Sequence, residues 1–180
     1  MMAWDLTITQ AIAGQGADVA AALTLLGEPL LGLPILGLAI AILYRRQNTL
    51  KVARRLLTAG VLLLVVVQGI KRSVDRPRPA AQIEALRSLP GGHLRQHAFP
   101  SGHSALAAFV AGAIVASPVA TAVRLVAASM AIGVGWSRVA IGAHWLSDVL
   151  VGLLLGFGLA FKALRGHPKV VESPPEERAI

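Results

Sequence analysis

The sequence predicts an all-α, integral-membrane helical bundle with five spans and an N-terminal interfacial helix. Of its 180 residues, 55% are hydrophobic and only 14% are charged, against the ~45–50% apolar content that is usual for soluble domains. The apolar residues also form long runs that are apolar on every side, as a helix surrounded by lipid requires. The chain length suits a single domain.

The net charge is +8, from 17 Lys and Arg against 9 Asp and Glu. Proteins that bind nucleic acid carry their basic residues on a polar surface, so we expect no nucleic-acid partner. In a chain this apolar, positive charge points instead to lipid head groups or phosphates at a membrane. The sequence has no cysteine, which excludes disulfides, a thiolate nucleophile and a cysteine-ligated metal.

Five runs qualify as spans, which need about 20 residues, or fewer where flanking Lys and Arg reach the interface. They cover approximately residues 29–44, 55–70, 101–117, 119–137 and 143–162. Arg45 and Arg46 close the first run, Lys71 and Arg72 close the second, and Pro118 ends the third. The result is a five-span membrane domain.

Residues 1–28 are less regular, because polar residues such as Gln10 and Asp18 interrupt their apolar face. We expect an interfacial amphipathic helix here, and a sixth, imperfect span is the alternative. The predicted organisation is therefore an interfacial segment at residues 1–28, a membrane domain at residues 29–165 and a flexible cytoplasmic tail at residues 166–180.

The connection at residues 45–55 carries five Lys or Arg, so we expect it to stay cytoplasmic. Alternation of the spans then places the long connection at residues 71–99 on the outer side. Arg138 and His144 fall on that same side. A connection of this length is usually functional or disordered, so the outer face is where we expect the functional site.

Three segments supply phosphate-binding groups at this face. Lys71, Arg78 and Arg138 can neutralise a phosphoryl group, and arginine offers two parallel donors to its oxygens. Ser101 and Gly102 begin a predicted helix, whose free N–H groups suit an anion. Gly102 lets the ligand approach closely because it has no side chain. Pro100, just before them, suits the first turn of that helix.

The same segments supply groups for proton and phosphoryl transfer. His144 and Asp148 are four residues apart, which places both on one face of a predicted helix. The carboxylate can then hold one ring nitrogen and leave the other free as a nucleophile. His103, at the start of another helix, is free to act as a general acid. A merely structural hydrogen-bonded pair is the alternative for His144 and Asp148.

The remaining basic residues of the outer connection are expected to be solvated or to face lipid head groups. Among them, Arg76 is the candidate for contact with a second phosphate. His93 and His97 could join His103 in a metal site, but no acidic or cysteine partner is near, so we expect no metal. Elsewhere, the Gly152-x3-Gly156 spacing favours close packing inside the bundle over helix dimerisation.

The three segments read Lys71-x6-Arg78-Pro79, Pro100-Ser101-Gly102-His103 and Ser137-Arg138-x5-His144-x3-Asp148. In this order, they resemble the type-2 phosphatidic acid phosphatase superfamily, whose members include membrane lipid phosphatases and vanadium haloperoxidases. The resemblance covers roughly residues 20–165. It implies an all-helical membrane phosphatase that uses neither a metal nor another cofactor.

The resemblance also implies a role for each residue. His144 would attack phosphorus and form a phosphohistidine, His103 would protonate the leaving oxygen and then assist water, and Asp148 would orient the nucleophile. The residues implied to bind phosphate oxygens are Lys71, Arg78, Ser101, Gly102 and Arg138. The site would face the periplasm of a bacterial inner membrane.

Related bacterial enzymes act on undecaprenyl diphosphate, phosphatidylglycerol phosphate, phosphatidate or lipid A. Small size and the extra Arg76 slightly favour a polyprenyl diphosphate, but the sequence decides neither the lipid nor the oligomeric state. A vanadate-dependent haloperoxidase is disfavoured because those enzymes are soluble. A phospholipid-binding or transport membrane protein without turnover remains the alternative function.

Overall fold

The computed structural model describes residues 3–25 and 49–165, and these residues form helices and loops without a strand. The first predicted span and the predicted cytoplasmic tail lie outside them. The described elements are α1 (Ala3–Ile12), α2 (Ala17–Thr24), α3 (Thr49–Val74), α4 (Pro79–Gln82), a 3₁₀ turn (Glu84–Leu86), α5 (Gly102–Val115), α6 (Thr121–Ala140) and α7 (Leu146–Leu164). The all-helical class is confirmed.

Two helices within the described ranges, α6 and α7, are long and apolar enough to cross a membrane, judged by length and composition. The predicted span at residues 55–70 lies within the 26-residue α3. The predicted span at residues 101–117 is the apolar α5, which has 14 residues. At 1.5 Å per residue α5 is about 21 Å long, less than a bilayer core of about 30 Å. The number of spans stays a prediction.

Helix α5 is the centre of the bundle and packs against α7, α6 and α3. Its contact with α7 is close because α7 presents glycines: a Cβ on Gly152 would lie 2.5 Å from the carbonyl oxygen of Ser101. A Cβ on Gly156 would collide with the carbonyl oxygen of Ala105. The glycine spacing therefore serves packing within the chain, as predicted.

The turn between α6 and α7 positions the third sequence segment. Gly142 has φ +73°, a left-handed conformation that glycine adopts at low cost, and it ends α6. The long loop lies on this turn, where the Gly91 amide donates to the Ile141 carbonyl over 2.8 Å.

Hydrogen bonds within the loop at residues 75–101 also connect residues near its two ends. The Arg78 amide donates to the Arg95 carbonyl, and the Ala98 amide donates to the Arg76 carbonyl, both over 2.9 Å. These hydrogen bonds tie the two ends of the loop together. The backbone that carries Arg78 is therefore held on both sides.

Helices α1 and α2 pack on the α6–α7 region. The Gly14 amide donates to the Ala140 carbonyl over 2.8 Å. Thr9 is fully buried, and its hydroxyl accepts from the Leu146 amide over 3.2 Å. Residues 3–25 thus contact the start of α7, while the predicted domain boundaries stay predictions.

Candidate active site

His144 lies two residues before α7, so the prediction that it shares a helix face with Asp148 is wrong. Trp145 is the N-cap of α7 and Asp148 is its third residue. Asp148 Oδ2 accepts from the Trp145 amide over 2.9 Å, satisfying an N–H group that has no partner within the helix. This contact still brings the two side chains together, with 3.6 Å between His144 Nδ1 and Asp148 Oδ2.

His144 is 1% exposed and Asp148 is fully buried. Their 3.6 Å separation exceeds the usual length of a hydrogen bond, and Nδ1 has no hydrogen-bond partner. Contacts between catalytic groups are often long before substrate binds and shorten in the complex. The two groups are therefore neighbours, in the arrangement that a base and its orienting carboxylate require.

Arg78 lies on the other side of the His144 ring and is only 8% exposed. Its Nε donates to the Gln96 carbonyl over 2.8 Å, and one terminal nitrogen donates to the Ala143 carbonyl over 3.0 Å. That same nitrogen is 3.4 Å from His144 Nε2. Burial lowers the pKa of Arg78, and the charge of Asp148 opposes this shift. An arginine nevertheless stays protonated at neutral pH.

Two further positive side chains act on the His144 ring. Arg138, in the last turn of α6, is 5% exposed and donates to the Thr24 hydroxyl over 3.2 Å. Lys71 Nζ donates to the His97 carbonyl over 3.3 Å. Arg78, Arg138 and Lys71 all lie close enough for their charges to act on His144. The three predicted cations are therefore brought together.

Lys71 lies one residue beyond the predicted span of residues 55–70. Burial, together with the nearby charges of Arg78 and Arg138, lowers the pKa of Lys71 to about 8, while Asp148 acts in the opposite direction. Its ammonium group can therefore lose its proton in mildly alkaline solution, which neither arginine can do.

The start of α5 lies against the start of α7. Ser101 is the N-cap: its hydroxyl accepts from the Ser104 hydroxyl over 2.9 Å, and its amide donates to the Asp148 carbonyl over 3.0 Å. Pro100 precedes the N-cap, so its predicted position in the first turn is wrong. A Cβ on Gly102 would have one neighbour within 4 Å, a side-chain carbon of Val67 at 3.9 Å. The space beside Gly102 is therefore open.

His103 is in the first turn of α5 and is partly exposed. The end of α3, the start of α5, the end of α6 and the start of α7 thus lie at one end of the bundle. The eight predicted site residues come from these ends, from the turn between α6 and α7 and from the loop at residues 75–101. Their contact with phosphate stays a prediction. Within the described ranges, no group of three or more His, Asp and Glu is arranged to hold a metal ion.

Two carboxylates bind Arg76, whose side chain is 19% exposed, so the prediction that it is solvated or faces lipid head groups is wrong. Its guanidinium donates to Asp148 Oδ1 and to Asp5 Oδ2, each over 2.6 Å. Asp5 could not be identified from the sequence, because a carboxylate 71 positions before its partner Arg76 gives no local signal. The one indication in the sequence was that Asp5 places a charged side chain in a mostly apolar segment.

Comparison with known proteins agrees with this architecture. The model of the PAP2 superfamily matches residues 52–172. A lipid A 1-phosphatase of Rhizobium etli is 34% identical over 105 residues, covering 56% of this chain and 44% of that protein. The matched region therefore spans less than half of that relative.

Two crystal structures share the fold. LpxE of Aquifex aeolicus has a TM-score of 0.75 at 24% identity, covering 91% of this chain and 96% of that one. A transmembrane PAP2-type phosphatidylglycerolphosphate phosphatase from Bacillus subtilis has a TM-score of 0.63 at 28% identity, covering 88% and 82%. The relatives from Rhizobium etli and Bacillus subtilis are both named as phosphatases. Because the family model matches more than half of its residues, the chain belongs to the PAP2 superfamily.

Proposed function

We propose that this protein is a membrane lipid phosphatase that hydrolyses a phosphomonoester or diphosphate of a lipid through a phosphohistidine intermediate. The observation that carries the proposal is the environment of His144. One ring nitrogen is 3.4 Å from the Arg78 guanidinium, and the other is 3.6 Å from the Asp148 carboxylate. A buried imidazole between a cation and a carboxylate is suited to act as an oriented nucleophile.

The contact with Arg78 favours one tautomer of His144. A guanidinium can only donate hydrogen bonds, so Nε2 accepts and the proton lies on Nδ1, toward Asp148. The single electron pair of Nε2 is then directed toward the side that holds the cations, where the Arg78 guanidinium donates to it until a phosphoryl group takes that donor. A phosphoryl group bound by Lys71, Arg78 and Arg138 would meet that electron pair.

The proposed reaction has two steps. In the first, His144 Nε2 attacks phosphorus, the ester P–O bond breaks, and the leaving oxygen takes a proton from His103. In the second, His103 accepts a proton from water as the water oxygen attacks phosphorus. The P–N bond then breaks, which releases phosphate and regenerates His144. Both steps depend on positioning and on charge stabilisation.

The proposed phosphate-binding groups are the three cations with the start of α5. Ser101 and Gly102 place a helix N-terminus next to Asp148 and His144, where the backbone dipole favours an anion. Fixed side-chain cations can supply the charge neutralisation that many phosphatases obtain from Mg²⁺. We therefore propose a reaction without a metal or other cofactor.

The lipid substrate is proposed from the relatives and from Arg76. The named relatives act on lipid A and phosphatidylglycerolphosphate, so a lipid phosphomonoester is our first candidate. The extra Arg76 was an argument for a diphosphate, because its side chain could have contacted a second phosphate. In the structure, two carboxylates bind that side chain instead. We propose a bacterial inner-membrane location with the site facing the periplasm, because the basic loop at residues 45–55 favours the cytoplasm.

Phosphate release tests the proposal. Purified protein in detergent is offered phosphatidate, phosphatidylglycerolphosphate, lipid A and undecaprenyl diphosphate. We expect release from at least one lipid, and we expect His144→Ala to lower kcat about 10³-fold or more, as loss of a nucleophile does.

The matched control is His93→Ala, which removes an exposed histidine of the loop at residues 75–101 and should leave kcat unchanged. Normal turnover by His144→Ala would exclude this residue as the nucleophile. Lipid binding without phosphate release from any substrate would instead favour the alternative, a phospholipid-binding or transport protein.

A further inference from the structure

A carboxylate from α1 reaches the immediate surroundings of the proposed catalytic pair. Asp5 is 1% exposed, and it lies outside the residues that the family model matches. Its Oδ1 accepts from the Ser147 amide over 3.0 Å, and its Oδ2 accepts from the Ser147 hydroxyl over 2.6 Å. Asp5 is thus fixed beside the residue that directly precedes Asp148.

Arg76 joins this carboxylate to Asp148. One terminal nitrogen donates to Asp148 Oδ1 over 2.6 Å and to the Ser147 hydroxyl over 2.7 Å, while the other donates to Asp5 Oδ2 over 2.6 Å. The guanidinium also lies 5.6 Å from the centre of the Trp145 ring. A planar fork with fixed donors suits two carboxylates at once, and an ammonium group does not.

These contacts determine the orientation of Asp148. One oxygen binds Arg76, and the other accepts from the Trp145 amide over 2.9 Å. In this orientation Oδ2 faces His144 Nδ1, 3.6 Å away. Without Arg76, the carboxylate could rotate and lose its alignment with the ring.

Asp5 in turn balances the charge of Arg76. Burial alone would raise the pKa of Asp5, but hydrogen bonds from Ser147 and Arg76 bring it below its ordinary value, so Asp5 stays charged. A partly buried arginine between two carboxylates is compensated, and removing one of them leaves the network incomplete.

We propose that Asp5 and Arg76 are positioning residues that hold Asp148 in its productive orientation toward His144. The inference rests on the proposed function, because it assigns these residues a role in that reaction. It makes the N-terminal helix part of the catalytic apparatus rather than only an interfacial segment. Asp5 and Arg76 need not touch the substrate.

The test is steady-state kinetics on the lipid that the wild type hydrolyses. Asp5→Asn keeps the shape of the side chain and removes its charge. We expect kcat to fall about tenfold or more, since small displacements of catalytic groups are costly, while KM changes less than about twofold because phosphate is bound elsewhere. Asp5→Glu, which restores the charge, should retain more activity than Asp5→Asn.

A double-mutant cycle separates positioning from general structural damage. In an Asp148→Asn background, adding Asp5→Asn should cause no further loss of kcat, because the carboxylate that Asp5 helps to orient is already absent. The matched control is Arg87→Gln, which breaks an exposed pair with Glu84 in the same loop and should leave kcat and KM unchanged.

The kinetic results distinguish failure of the positioning role from failure of the proposed phosphatase function. Unchanged kcat in Asp5→Asn, or equal losses in the wild-type and Asp148→Asn backgrounds, would overturn the inference while leaving the phosphatase function in place. A wild type that hydrolyses no phospholipid would contradict the proposed function and this inference with it. If Asp5→Asn fails to elute as a single species, Arg76→Lys provides the test, with the same expected fall in kcat at unchanged KM.

Discussion

At the scale of single residues, three positively charged side chains lie close to His144. Arg78 and Arg138 are buried beside His144, and Lys71 completes the group. Like charges held together cost free energy, which an incoming phosphate would offset. The site therefore favours an anion before any chemistry occurs.

Lys71 should give the reaction an alkaline limit. Its pKa is lowered to about 8, so its positive charge is present below that pH and is lost above it. We expect kcat/KM, which reports the free enzyme, to fall as pH rises through this value. The measurement is kcat/KM of the wild type and Lys71→Arg across this pH range.

In Lys71→Arg the charge persists, so the fall should move to higher pH. An alkaline fall at the same pH in both proteins would assign it to another group.

At the scale of elements, the close contact of α5 and α7 aligns the two helix starts that carry the site. Gly152 and Gly156 allow the two backbones to approach, and the Ser101 amide donates to the Asp148 carbonyl at the end of that contact. Packing along the helices thus sets the position of the turn at Ser101, which we propose binds phosphate, relative to the Asp148 carboxylate.

Gly156→Ala should therefore damage the fold. The added methyl group would collide with the Ala105 carbonyl, and overpacking of this kind typically costs about 1–3 kcal/mol. Thermal unfolding in detergent measures the effect. The control is Gly158→Ala on the same helix, where a Cβ meets nothing within 4 Å and should stabilise by about 0.5–1 kcal/mol. Equal melting temperatures for the two variants would contradict the packing role of Gly156.

The sequence predicted the elements better than their boundaries. Long apolar runs located α3, α5, α6 and α7, because the pattern of a buried or lipid-facing helix is visible in the residues themselves. The position of His144 was missed, since the start of α7 depends on Asp148 capping the Trp145 amide. The Asp5–Arg76 pair was missed because it depends on how α1 packs.

At the scale of the whole molecule, four helix ends and one long loop build a site from distant parts of the chain. Spacing within three segments was sufficient to name eight candidate site residues, whose roles stay predictions. Their convergence depends on tertiary packing, which local spacing does not encode. The alternation of the predicted spans placed the three segments on one face, and the resemblance to a family implied the same grouping.

The assembled cations lead to a prediction about metals. Since Lys71, Arg78 and Arg138 can neutralise the phosphoryl group, we expect phosphate release to survive EDTA. Vanadate should inhibit, because it forms a five-coordinate species like phosphorus in the transition state. Initial rates with each additive provide the measurement. Complete loss of activity in EDTA that Mg²⁺ restores would contradict a site based on side-chain cations alone.

The fastened loop at residues 75–101 has an evolutionary consequence. Its backbone is tied to itself near Arg78 and to the α6–α7 turn through Gly91, whereas Gln82, Ser88 and His93 point outward. Mutations at these outward positions can accumulate without moving the backbone that presents Arg78. The surface of this loop can therefore change during evolution while the position of Arg78 beside His144 is kept.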